Sequence, residues 1–183
     1  MRSSLIVAAV GLALAAPAAA EVKSATPTSF EIETVVTIDA PIQQTWETLR
    51  APRKWWDPEH SYSGDPANFY LDSQATGCFC ERLPDKGSIE HAHLVYVAPG
   101  RMIRMVGGLG PLQAEAVVGT LTWKLDAEGS GATKLTLTYV VGGFMRQGGE
   151  AMAPLVDKVM ANQLARLKAA AEVPPPPPPA EPK

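Results

Sequence analysis

The sequence predicts one α+β domain, and three observations carry that prediction. Segments rich in β-branched residues, or alternating polar and apolar, recur between glycine and proline turns from residue 30 to residue 141. One long amphipathic segment, residues 150–171, follows them. The other helical patterns come early, so the order is a strand, a helix pair, a run of strands joined by short turns, then the long helix. Helices segregated from an antiparallel run argue α+β, with the last helix burying its apolar face on the concave side of the sheet.

Residues 30–38 form the first expected strand, with Ile32, Val35, Val36 and Ile38 among its β-branched residues. Asp39, Ala40 and Pro41 then open a helix, with Asp39 as N-cap and Pro41 in the first turn. Ile42, Trp46 and Leu49 make its apolar stripe, and Pro52 closes it. Trp55 and Trp56 are adjacent, so both cannot face one core from a regular helix; one packs inward and the other rims an opening, or both plug the core end. A hairpin is expected over residues 75–98. Pro99 and Gly100 then turn the chain into a strand over residues 101–106. The glycine-rich break at residues 107–111 turns the chain again, and with Leu109, Pro111 and Leu112 it can serve as an apolar lip. Residues 112–125 contain a strand with Val117, Leu121 and Trp123, and residues 133–141 alternate as a half-buried strand does. On the terminal helix, Met152, Val156, Val159, Met160, Gln163, Leu164 and Leu167 share one face.

The ends fall outside this domain. Arg2, an apolar run from Leu5 to Ala16, and the small residues Ala18, Ala19 and Ala20 before Glu21 have the layout of a signal peptide over residues 1–20. That leader implies a periplasmic or secreted protein. No later segment approaches the roughly 20 apolar residues that a membrane span requires. Residues 21–29 read as a linker and residues 172–183, with six consecutive prolines, as a stiff polyproline tail. The domain is therefore placed at residues 30–171. Without Arg2 the 16 basic residues fall to 15 against 19 acidic ones, a formal charge of −4. The basic residues are scattered, which argues against nucleic acid as a partner. No cofactor motif is present: the glycines at 107, 108 and 110 fail the dinucleotide fingerprint because Pro111 follows and no helix opens there.

The chemistry concentrates in the hairpin. It holds both cysteines, Cys78 and Cys80, and two of the three histidines, His91 and His93. If residues 83 and 88 face each other, Cys80 lies opposite His91 and Cys78 opposite His93, all on one face. A slip of one residue would set the histidines opposite Phe79 and Glu81 instead. The cysteines then have three readings. They pack as reduced thiols in the manner of small apolar groups, the favoured reading; they bridge, at the edge of disulfide reach for a regular strand; or they join both histidines around a metal, at a spacing no standard zinc site uses. Cys80 beside His91 would also make a nucleophile and base. His60 stands alone in a loop and reads as solvated.

The order of these motifs resembles the START-like, or SRPBCC, superfamily. Asp39, Ala40 and Pro41 leading to Trp46 carry the resemblance, with Trp55 and Trp56, the Gly77-x-Phe79-x-Glu81 pattern, the Pro99-Gly100 turn and the amphipathic terminal helix. The branch it is most similar to lies near polyketide cyclases and the C-terminal domain of the Hsp90 ATPase activator. The resemblance implies a helix-grip fold, in which a curved antiparallel sheet wraps the terminal helix and encloses a cavity. It also implies a small apolar or amphipathic ligand. Strand parity and the helix stripe then nominate a lining of Trp46, Trp56, Phe79, Tyr96, Met105, Trp123, Tyr139, Met152, Val156 and Met160. The rival expectation is a cyclase- or hydrolase-like enzyme using His91 with Cys80 or Glu81. Which of the two applies, and which protein partners the chain has, is not fixed by sequence.

Overall fold

The structure, a computed structural model, describes residues 19–174. Residues 1–18 of the expected leader (1–20) and residues 175–183 of the expected tail (172–183) lie outside the described residues. Eight strands form one antiparallel sheet: β1 (Ala19–Thr26), β2 (Ser29–Ile38), β3 (Phe69–Leu71), β4 (Cys78–Arg82), β5 (Ser88–Ala98), β6 (Met102–Val106), β7 (Ala116–Glu128) and β8 (Ala132–Phe144). Their order across the sheet is β1-β2-β8-β7-β6-β5-β4-β3. Helix α1 (Ile42–Leu49) follows β2, and α2 (Gly149–Ala171) ends the fold. The sheet curves around α2, which is the helix-grip arrangement.

Alternation explains the sheet. In β2, Phe30, Ile32, Val36 and Ile38 point inward, and β8 answers with Leu135, Leu137, Tyr139 and Val141. Trp123 and Leu125 of β7 and Ile103 of β6 extend that floor. The C-terminal half of α2 lays Met160, Leu164, Leu167 and Ala171 on it, all buried. Gly149 allows the helix to start tight against the β1–β2 turn, because a Cβ there would stand 2.5 Å from the carbonyls of Thr26 and Ser29.

Several expectations are corrected. The segment expected as a linker, residues 21–29, holds most of β1, which pairs with β2 from Ala19↔Val35 to Thr26↔Ser29. The expected helix pair is one α-helix followed by three short 3-10 turns at Pro52–Lys54, Pro58–His60 and Pro66–Asn68. Prolines at the start of each turn fix φ but permit no longer helix. The N-cap of α1 is Pro41, and no side chain caps it. The Asp39 backbone N–H instead donates to Glu172 at 2.8 Å, tying the strand end to the end of α2.

The hairpin register differs from the expected one for a definite reason. Near the turn the pairs are Arg82↔Ser88, Glu81↔Ile89 and Cys80↔Glu90; beyond it they are Phe79↔Ala92 and Cys78↔His93. His91 is the extra residue between the two sets, a β-bulge. Cys78 therefore faces His93 as expected, but Cys80 faces Glu90. The bulge turns both His91 and Ala92 inward.

Candidate functional site

A cavity of about 410 Å³ opens between the N-terminal half of α2, the loop after Trp56 and the glycine-rich lip. Met152, Leu155, Val156, Val159 and Met160 form its α2 wall. Leu109, Gly110, Pro111 and Leu112 form the lip. Trp56, Glu59, His60, Ser61, Tyr62 and His91 complete it. Apolar side chains dominate and the polar groups are few, as in small-molecule sites generally.

The lip is tied down at two points. Tyr139 is fully buried, and its hydroxyl donates to Gly107 O at 2.8 Å while accepting the Leu109 N–H at 3.1 Å. Burial pushes this phenol up to about 12, so it stays protonated and able to donate. Gly119 leaves the room: a Cβ there would stand 2.5 Å from the Tyr139 hydroxyl. From the other side of the mouth, the Tyr62 hydroxyl donates to Gly110 O at 3.1 Å.

The bulge supplies the chemistry. His91, 4% exposed, meets Glu81, 0% exposed, at 3.0 Å from Nε2 to Oε2. Two further donors reach the same carboxylate: the Ser63 N–H at 2.6 Å and the Tyr62 N–H at 3.2 Å. Burial alone would raise the Glu81 carboxyl, but the hydrogen bonds from Ser63, Tyr62 and His91 hold it below its ordinary value. Burial lowers the His91 imidazole, against the opposing pull of Glu81. The pair is thus a carboxylate beside a neutral imidazole at neutral pH. The imidazole stacks on Phe69, with centroids 5.1 Å apart and planes at 19°, and packs against Phe79 at 5.1 Å.

A second polar group lies at the other side of the cavity. Gln163 of α2 accepts the Asp57 N–H on Oε1 at 2.9 Å and reaches His60 Nδ1 with Nε2 at 3.1 Å. Asn162 donates to the Asp57 carboxylate. Burial works against that carboxylate's charge, but the Glu59 N–H, Asn162, Arg166 and His60 hold it below its ordinary value. His60, expected to be solvated, is a wall residue held by α2.

The nominated lining divides. Trp56, Met152, Val156 and Met160 line the cavity. Phe79, Met105 and Trp123 lie instead around a neighbouring void of about 10 Å³, room for at most one water. Trp46 is core, Tyr139 acts through the lip, and Tyr96 points outward at 48% exposure. A second bulge, between Leu94 and Tyr96, turns that side chain to the outer face. Both tryptophans are buried: Trp55 packs edge-on to Trp123, and Trp56 packs against Phe69 and Phe79 while also walling the cavity.

Of the candidate catalytic residues, His91 and Glu81 come together and Cys80 does not join them. Cys80 is bridged to Cys78, with Cα atoms 5.5 Å apart, and alternates away from Glu81 onto the face that carries Glu90. The favoured reading of two reduced thiols is thereby replaced by the bridge. The four-residue metal arrangement does not form either: His91 turns inward, His93 outward, and both sulfurs are used. Among the described residues no three His, Cys, Asp or Glu side chains gather as a metal site. Nor, among them, is any helix long and apolar enough to cross a membrane. Glu59, Ser61, Tyr62, Leu155 and Val159 were not nominated; the aromatic segment around His60 and Tyr62 was the available signal.

Fold and cavity together define a helix-grip protein of the START-like class. The chain belongs to the family described as polyketide cyclase / dehydrase and lipid transport, whose model matches residues 29–172. No curated protein matches it. Among solved structures it is similar to a protein from Rhizobium leguminosarum, at 20% identity and TM-score 0.56, covering 79% of this chain and 97% of that one. A conserved protein of unknown function from Enterococcus faecalis matches at 14% identity and TM-score 0.57, covering 85% and 77%. CalU16 from Micromonospora echinospora matches at 15% identity and TM-score 0.54, covering 87% of each chain. At these identities the likeness is one of fold.

Proposed function

We propose that this protein is an exported binding protein that holds a small apolar or amphipathic molecule between α2, the loop of residues 59–62 and the glycine-rich lip. One observation carries the reading: a cavity of about 410 Å³ walled mainly by apolar side chains. A lined, accessible apolar hollow of that size is the usual form of a small-molecule site. Membership of a family described by polyketide cyclisation and lipid transport supports the ligand class. Export rests on the leader-like residues 1–20. Native mass spectrometry of the protein purified from its own compartment tests the reading. A retained small-molecule mass that Val156→Trp eliminates is expected; identical spectra from both proteins would contradict it.

The Glu81–His91 pair favours a second reading, an enzyme in which His91 moves a proton on the bound molecule. A buried carboxylate orienting an imidazole on a cavity wall is a common acid–base arrangement. Conversion of the retained molecule by wild type but not by His91→Phe would separate this reading from binding alone.

A further inference from the structure

The hydrogen bonds around Glu81 determine which nitrogen of His91 carries its proton. An ionised carboxylate only accepts, and Glu81 is met by the Tyr62 and Ser63 N–H groups and by His91 Nε2. Nε2 must therefore be the donor, and a neutral imidazole then leaves Nδ1 as an acceptor. No hydrogen bond reaches Nδ1 among the described residues. It is not sealed off either, since the buried unpartnered side-chain atoms among them are Thr34 Oγ1 and Asp157 Oδ1. The ring cannot easily turn to another partner, because Phe69 and Phe79 hold its faces.

His60 carries the same tautomer but spends the other nitrogen on its partner. Gln163 spends its oxygen on the Asp57 N–H, so its amide nitrogen donates to His60 Nδ1 and the His60 proton sits on Nε2. The two imidazoles differ in the nitrogen left without a hydrogen bond among the described residues, the accepting Nδ1 on His91 and the donating Nε2–H on His60.

We propose that the cavity selects an apolar ligand bearing a hydroxyl, that this hydroxyl donates to Nδ1 of His91, and that Glu81 is the positioning residue that fixes the accepting tautomer. The proposal rests on the binding reading above and narrows its ligand class. An apolar molecule without a donor leaves a desolvated Nδ1 unpaired, and a methyl ether in place of the hydroxyl sets an acceptor against an acceptor.

Three probes of one shape test it by calorimetry on the full chain: naphthalene, 2-naphthol and 2-methoxynaphthalene. Wild type is expected to bind 2-naphthol about tenfold more tightly than 2-methoxynaphthalene, the effect of one hydrogen bond into a dry site. His91→Phe keeps the aromatic packing and should bring the two within about twofold of each other while still binding naphthalene. Nitrogen chemical shifts of the wild-type ring give a readout that needs no variant. Nδ1 should show the unprotonated shift and move when 2-naphthol binds, and Glu81→Gln should disturb that tautomer. Naphthalene binding without preference for 2-naphthol, or a protonated Nδ1 in wild type, overturns the inference while leaving the binding reading intact. Failure of all three probes to bind removes both.

Discussion

Glu81→Ala is the sharpest single perturbation of the site, and its cost follows from the contacts. The carboxylate accepts three hydrogen bonds, at 2.6, 3.0 and 3.2 Å. The Ser63 and Tyr62 amides lie in a surface loop and can turn to water. The His91 Nε2–H is buried and cannot, so it bears the full loss of about 1–3 kcal/mol. Removing Glu81 leaves a neutral imidazole and strands no charge, so about 1–3 kcal/mol is the expected fall in urea stability at pH 7. The effect should shrink in acid. Glu81 has its folded value below the ordinary 4.5, so its contribution is present above that pH and lost as pH falls through the folded value. His91 has its folded value below the ordinary 6.5, so it has the same sign: stability is present above 6.5 and lost as the pH falls. Wild-type stability should therefore decline from about pH 6.5 downward, and the gap to Glu81→Ala should close as the pH falls below 4.5. A loss under about 1 kcal/mol at pH 7, or a gap that keeps widening below pH 4.5, would refute this account of the pair.

Other outcomes are equally definite. Leu164→Ala, at a fully buried position in the C-terminal half of α2, should cost about 2–5 kcal/mol in denaturant unfolding; no change would mean the helix does not grip the sheet there. Gly119→Ala should displace Tyr139 and with it the lip, visible as weakened naphthalene binding and a changed Tyr139 ring environment by NMR. Non-reducing intact mass should lie about 2 Da below the reduced mass because Cys78 and Cys80 are bridged, and chelator should leave stability unchanged. Sequencing of the exported protein should begin at Glu21; retention of Leu5 to Ala16 would contradict export by cleavage.

The fold was legible because its elements repeat simple periods. Residues 133–141 alternate cleanly and became the heart of β8, and the stripe from Met152 to Leu167 marked α2 within a residue of its start. The site was less legible, because it depends on where the period breaks. Parity across the hairpin assumed a turn with residue 83 facing 88; the turn closes with Arg82 facing Ser88, and the bulge at His91 absorbs the difference. That one residue brings His91 to Glu81 instead of Cys80. The bulge before Tyr96 likewise sent a nominated wall residue to the outer surface. Phe79, Met105 and Trp123 do face inward, but sheet parity cannot say which part of the concave face is filled by Trp55 and Trp56 and which part stays open. β1 escaped notice because Glu21, Lys23 and Ser24 have little strand character, and β2 supplies its partner edge. Gln163 sat in the helix stripe as one polar residue among apolar ones, and its partners Asp57 and His60 lie about a hundred positions away.

The central claim is that the cavity beside α2 is a ligand site, and one titration tests it most directly. Naphthalene is added to wild type and to Val156→Trp, whose larger side chain would fill the hollow from the α2 wall without touching the packed half of the helix. The account predicts saturable one-to-one binding to wild type and a loss of at least about tenfold in Val156→Trp with the unfolding midpoint retained. Equal binding by both proteins would contradict it.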